Sequence, residues 1–339
     1  MAEYRILFRL NADAQIGTGH LMRCLTLANA LKLAGGVCCF LCPELSEALA
    51  KMVVSQGHQY QVFHSAIEER SILQAFHADW LIVDHYFLDQ AWEIQQRPYV
   101  GRIFIIDDLA DRPHDADILL DQGPLRTVEE YKPLVPEHCK LLLGPDFAML
   151  KPAYRLQQKH STSSFRKGLI CFGGADPAHA TQMTMDAILA SPLLMQYQWT
   201  VVAGAANPDW PDLKAKIAKQ PNIQLLHHHD DMATLMAEHD FAIGAAGGMT
   251  WERCCIGLPS LVSPIADNQK FNDEVLRYFQ LCEQLALNEL QAPETIFEKL
   301  QQLARFADMY SQKNKAFIDG LGIQRIVAHL LQERTIHEN

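Results

Sequence analysis

Short apolar runs alternate with segments of helical period through most of the chain. In the first half the runs fall at 4–10, 37–42, 59–63, 80–84, 102–107 and 140–143, and helices are expected between them at 20–34, 44–56, 67–76 and 89–96. Leu21, Cys24, Leu25, Ala28 and Leu31 give the first of these helices one apolar face. A polar stretch at 157–167, QQKHSTSSFRK, breaks the rhythm and reads as a linker. Beyond it the runs recur at 168–172, 198–203, 223–226, 241–244 and 260–262. Helices are expected there near 178–190, 212–219, 231–238, 250–257 and 268–279, with two more between about 291 and 333. Strand and helix in alternation, joined by short loops, are the pattern of an α/β fold with mostly parallel, doubly wound sheets. The expectation is two Rossmann-like domains, 1–155 and 156–339, with the ligand site in the cleft between them.

Composition narrows the function classes. The chain has 339 residues, of which 49% are hydrophobic and 20% charged, enough apolar side chain for two cores. Forty acidic against 29 basic residues leave a net charge of −11, which argues against a general nucleic-acid binder or an anionic-membrane binder. No apolar run approaches the ~18 residues that span a bilayer, and the N-terminus carries no signal-peptide pattern. Nine cysteines are an odd number, and Cys38, Cys39 and Cys171 lie within apolar runs as reduced core thiols do. A soluble, cytoplasmic protein is expected, and composition says nothing about its oligomeric state.

The first candidate chemistry follows the first strand, in the run Gly17-Thr-Gly19-His20-Leu-Met-Arg23. Gly17 and Gly19 allow a ligand close to the backbone, and the helix that starts there offers unpaired N–H groups. The third glycine of a dinucleotide fingerprint is missing. His20 falls in the first helical turn, where it is either a general base or a helix-end histidine.

From Gly17 to Ala28 the sequence resembles the N-terminal motif of the UDP-2,4-diacetamido-2,4,6-trideoxy-β-L-altropyranose hydrolases, nucleotide-sugar hydrolases of pseudaminic acid biosynthesis. Further matches follow in order at Ile82-Val-Asp84-His85-Tyr86, Asp107-Asp108, Asp117-Ile-Leu-Leu, Gly173-Gly174-Ala-Asp176 and Asn268-Gln269. The resemblance spans nearly the whole chain. It implies the two-domain glycosyltransferase-B fold and a UDP-sugar substrate cleaved at its anomeric carbon with inversion. It also implies that no metal or other cofactor takes part, that the glycine-loop histidine, His20, is the base, and that Tyr86 lies in the sugar pocket.

Read as residues, Asp84, His85 and Tyr86 end an apolar strand, and strand C-termini face the ligand crevice in such sheets. The Tyr86 phenol can donate to a sugar amide or orient a water. Asp84 and His85 are further substrate contacts, although a buried aspartate capping a loop looks the same. Asp107 or Asp108 either polarises His20 or binds sugar, with loop capping equally open, and Asp13 is a neighbour in the loop able to orient His20. In the second half, Gly173, Gly174 and Asp176 lie at a strand-to-helix turn suited to phosphate or to capping. Gly248, Met249 and Thr250 lie at another, and Glu252 follows one turn inside the helix, where it can accept from both ribose hydroxyls. The resemblance implies the same ribose role for Glu252 and a backbone contact to uracil at Asp230-Asp231-Met232. Asn268 and Gln269 read as sugar or phosphate contacts.

Three metal-like signals carry less. Alternation sends Cys39 and Cys42 to opposite faces, His227–His229 has no matching carboxylate cluster, and Asp115-Ala-Asp117 precedes a short strand as solvated loop. A glycosyltransferase of the same fold is the alternative enzyme, with an acceptor hydroxyl in place of water. A UDP-sugar sensor would need no histidine base.

Overall fold

The computed structural model describes residues 4–11, 19–158, 165–204 and 206–335. Seven strands make the first sheet: β1 (Tyr4–Leu10), β2 (Gly36–Cys42), β3 (Gln59–Val62), β4 (Trp80–Asp84), β5 (Arg102–Ile106), β6 (Ile118–Asp121) and β7 (Lys140–Leu143). They are parallel, in the order β3-β2-β1-β4-β5-β6-β7. The second sheet holds β8 (Lys167–Cys171), β9 (Gln198–Val202), β10 (Ile223–Leu226), β11 (Phe241–Ala245), β12 (Ser260–Ser263) and β13 (Glu283–Gln284). It too is parallel, in the order β10-β9-β8-β11-β12-β13. Only β13 has no counterpart among the expected runs of the second half, because two residues cannot display a period.

Both faces of the first sheet are covered, which is why its strands read as unbroken apolar runs. Phe8, Phe40 and Ile82 pack into one cluster, and Leu7, Leu81 and Ile103 into another. Alternation divides the three cysteines of β2 accordingly, Cys38 and Cys42 with the first cluster and Cys39 with the second. In each sheet the strand order reverses once, between β1 and β4 and between β8 and β11. At such a switch the loops leaving neighbouring strands diverge and open a crevice at the strand C-termini.

The chain divides into two compact units, Met1–Lys151 with Leu321–Asn339, and Pro152–Gly320. The C-terminal helix therefore belongs to the first unit, not to the second as the sequence order suggests. The tail also forms three helices where two were expected: Pro293–Arg305, Ala307–Phe317 and Gly322–Thr335. Phe306 leaves helical geometry at φ −115°, ψ 18°, and Gly320 turns the chain at φ 75°, a conformation that suits glycine. Past that turn Ile323, Ile326 and Leu330 bury themselves against Leu27, Leu31 and Phe8. Tyr4 donates its hydroxyl to the Leu330 carbonyl at 3.2 Å. Among the described residues no helix is long and apolar enough to cross a membrane.

Because Ile326 is fully buried in the first unit's core, Ile326→Ala is expected to cost about 2–5 kcal/mol of that unit's stability. Urea unfolding checks this, and a loss below 1 kcal/mol would mean that the helix is not part of that core.

Candidate active site

The C-terminal end of β4 and the start of the helix Gly19–Leu33 meet at the switch point of the first sheet. His20, Arg23 and Cys24 share one face of that helix, being three and four residues apart, and all three reach Asp84. The His20 Nδ1 lies 2.5 Å from Asp84 Oδ1. Arg23 donates from Nε to Oδ2 at 2.6 Å and from Nη2 to Oδ1 at 2.5 Å, and Cys24 Sγ stands 3.4 Å from Oδ2. Asp84 is 1% exposed. Burial alone would raise its pKa, but the Arg23 guanidinium and the His20 contact hold the carboxyl well below the usual carboxylate range. Arg23 Nη2 also stands 3.1 Å from His20 Nδ1, but the ionised carboxylate is the nearer partner at 2.5 Å, which assigns the ring proton to Nδ1 and leaves Nε2 as the acceptor nitrogen of the imidazole.

Tyr86 stands edge-on to His20, with ring centroids 4.7 Å apart and planes at 82°. Its side of the pair is open to solvent, since Tyr86 is 36% exposed. Burial, aided by the nearby Asp108 charge, pushes the phenol pKa up, so at neutral pH it remains a donor.

The neighbouring polar residues hold loops. His85 Nδ1 accepts the Phe87 and Leu88 N–H groups at 2.9 and 3.2 Å. Burial and the Arg9 charge lower its pKa to about 4, which suits an acceptor nitrogen. Asp107 accepts from Ala110 N at 2.9 Å and from Arg112 at 3.2 Å, and its Oδ2 lies 3.0 Å from Tyr131 Oη. Arg112 also donates to the His85 and Leu88 carbonyls at 2.7 and 2.8 Å, tying the loop after β5 to the one after β4. Asp108 stands 3.4 Å from Arg23. Asp84 and Arg23, expected to touch substrate, are thus spent on each other and on His20, and His85 is spent on its own turn. Gly17 and Asp13 lie outside the described residues. Gly19 has open space around its Cα.

In the second unit two glycine turns flank the other switch point. After β8, Gly173 takes φ 110°, and a Cβ on either Gly173 or Gly174 would meet nothing within 4 Å. Asp176, expected to bind substrate, is 2% exposed and accepts from Ala180 N and Thr181 N at 3.0 and 2.8 Å. It caps the helix Ala180–Ala190. After β11, Gly248 begins the helix Met249–Ile256 with the same open space. Thr250 is 1% exposed, and its hydroxyl donates to the Ala245 carbonyl at 3.2 Å, so it closes the turn. Met249 Sδ stands 3.9 Å from Cys171 Sγ, across the two turns.

Glu252 is half-buried and accepts the hydroxyl of the buried Tyr154. Gln269 is anchored where its side-chain carbonyl accepts Ile265 N–H at 3.0 Å, and its amide nitrogen lies beside Gly247. Asn272 donates to the Ala246 carbonyl at 2.9 Å. Asn268 is exposed, and Met232 opens the helix Met232–Ala237, which Asp231 caps through Thr234 N at 3.1 Å.

Sequence reasoning passed over Cys24, Arg112, Tyr131, Tyr154 and Asn272. Cys24 was within reach, one helical turn from His20, but the others act across loops and carry no local pattern. Asp115 and Asp117 are not solvated loop: Arg97 pairs with them at 2.7 and 2.5 Å. Two of the three consecutive histidines are engaged separately, His227 against the Trp210 ring and His228 with Asp230 at 3.0 Å.

Residues 170–329 match the family model of the glycosyltransferase family 28 C-terminal domain. The chain is 26% identical over 250 residues to the UDP-2,4-diacetamido-2,4,6-trideoxy-β-L-altropyranose hydrolase of Campylobacter jejuni, a match covering 73% of this chain and 87% of that one. It is 28% identical over 204 residues to the spore coat polysaccharide biosynthesis protein SpsG of Bacillus subtilis, covering 58% of this chain but only 59% of that protein's length. Among solved structures, MurG of Acinetobacter baumannii is similar with a TM-score of 0.65 at 14% identity, over 97% of this chain and 99% of its own. With two parallel, doubly wound units, the chain has the glycosyltransferase-B-like architecture and resembles the nucleotide-sugar hydrolase family in sequence.

The Asp84 pKa is depressed in the folded state, so its contribution to stability is present above the unfolded value near ~4 and is lost as pH falls below it. Asp84→Asn leaves Arg23 without its carboxylate and is expected to cost about 3 kcal/mol at pH 7. In urea unfolding at a series of pH values, the gap between wild type and variant should narrow below about pH 4. A gap independent of pH would contradict the ionised pair.

Proposed function

We propose that this protein is an inverting, metal-independent UDP-sugar hydrolase. The proposed substrate is UDP-2,4-diacetamido-2,4,6-trideoxy-β-L-altropyranose, split at the anomeric C–O bond into UDP and 2,4-diacetamido-2,4,6-trideoxy-L-altrose. The observation that carries the reading is the His20–Asp84 pair. Asp84 accepts the Nδ1–H hydrogen bond and fixes the ring, so Nε2 is free to deprotonate a water. Tyr86, against the same ring, is the donor that orients that water or the sugar. The 26% identity to the Campylobacter jejuni hydrolase supports the substrate class.

UDP leaves without a general acid if its developing charge is met by fixed dipoles. The open turns at Gly173–Gly174 and Gly248 offer backbone N–H groups for the diphosphate, and the Gln269 amide lies beside the second of them. Glu252, held by Tyr154, accepts from the ribose hydroxyls, and the backbone at Met232 meets the uracil. Asn268, exposed beside Gln269, is a further contact to sugar or phosphate. Attack at carbon, from the face opposite UDP, inverts the anomeric centre. The family 28 match over 170–329 supports the second reading, transfer of the sugar to an acceptor by the same machinery.

Turnover in ¹⁸O-water without an acceptor is expected to place the label on the anomeric hydroxyl and none in UDP. Label in the UDP phosphate would overturn attack at carbon, and UDP release only with an acceptor present would favour the transferase. His20→Asn is expected to lower kcat by at least ~10²-fold with UDP affinity nearly unchanged, measured by steady-state kinetics and UDP titration. Glu252→Ala is expected to weaken UDP binding by about 1–3 kcal/mol, and an unchanged titration would move ribose recognition elsewhere.

A further inference from the structure

Arg253 is a buried cation for which the mechanism above has no use. It is 3% exposed, in the last turn of the helix Met249–Ile256, from which its side chain reaches back toward the turn that precedes the helix. Its Nη2 donates to the Ala245 carbonyl at 2.7 Å and to Thr250 Oγ1 at 3.2 Å. Those two partners are the two ends of the turn that carries Gly247 and Gly248, so the guanidinium closes the turn from beneath. The strand makes room for it: a Cβ on Gly244 would stand 2.9 Å from Arg253 Nη1. Among the described residues no carboxylate forms an ion pair with it, and its remaining charged or titratable surroundings are the thiols of Cys171, Cys254 and Cys282 and the neighbouring Glu252.

Burying a cation without an anion is costly, and an apolar side chain of similar size would close the same space more cheaply. Two neutral hydrogen bonds do not repay that cost, since a glutamine can make them. Arginine stays charged even when burial works against it. The positive charge under the glycine turn is therefore permanent, and among the described residues of its own unit no carboxylate forms an ion pair with it.

We propose that Arg253 is a positioning residue for the diphosphate: its charge finds its counter-ion when a nucleoside diphosphate lies on the Gly247–Gly248 turn. This rests on the nucleotide reading of the second unit and adds to it the source of the positive potential. Arg253 acts through the turn, by holding Ala245 and Thr250 and by setting the field at the backbone amides, so its effect must scale with phosphate charge and not with the nucleoside.

The test is titration of uridine, UMP and UDP into the full-length wild type, Arg253→Gln and Arg253→Lys. Glutamine keeps a donor for Ala245 and Thr250 but no charge, whereas lysine keeps the charge. The expected result is a ~10-fold loss of UDP affinity in the glutamine variant, a smaller loss for UMP and none for uridine, with the lysine variant retaining the wild-type order. Equal weakening of all three ligands, or UDP bound by Arg253→Gln as by wild type, would overturn the proposal. So would a glutamine variant that fails to fold while the lysine variant folds, because the charge would then serve the fold. If wild type itself binds uridine and UDP equally or not at all, the nucleotide reading fails first, and the two failures are told apart by that arm.

Discussion

A carboxylate sealed from water organises the first unit. Asp84 ends β4, next to β1 at the reversal of the sheet, with Leu10 as its partner in register. Buried so completely, it stays ionised only because Arg23 clasps both of its oxygens. Arg23 in turn is fixed three residues after His20, and the pair of contacts locks the first turn of the helix onto the strand end. The orientation of His20, the position of Tyr86 against it and the choice of Nε2 as the acceptor nitrogen all follow from that one buried charge.

The second unit solves a similar problem with the opposite sign. There the buried group is a cation, Arg253, and what it holds is a backbone turn. Asp176 and Thr250 do comparable work at the ends of β8 and β11, each satisfying local N–H or C=O groups. In both units the polar side chains nearest the strand ends are consumed in shaping loops. What remains open to a ligand is backbone at Gly19, Gly173, Gly174 and Gly248, together with a few side chains such as Tyr86, Glu252 and Gln269. On the proposed reading, a site built this way would meet phosphate and sugar through groups whose position is dictated from behind.

Periodicity along the chain was enough for the architecture. Alternating apolar runs and helical segments determine a parallel α/β fold in two units, because each element must bury a face that its own residues display. The same local logic separated Cys39 from Cys42 across β2. Only the tertiary structure decided which carboxylate serves His20. The contact joins residues 64 positions apart, and Asp13, Asp84, Asp107 and Asp108 are indistinguishable until burial and neighbours are known. It also decided that Asp84, Arg23, His85, Asp176 and Thr250 are engaged with groups of the fold itself, and that the last helix returns to the first unit, because an amphipathic face states that it will be buried but not against what. Secondary structure follows from neighbours in sequence, whereas the energy of a buried charge or an apolar stripe is set by whatever distant part of the chain comes to cover it.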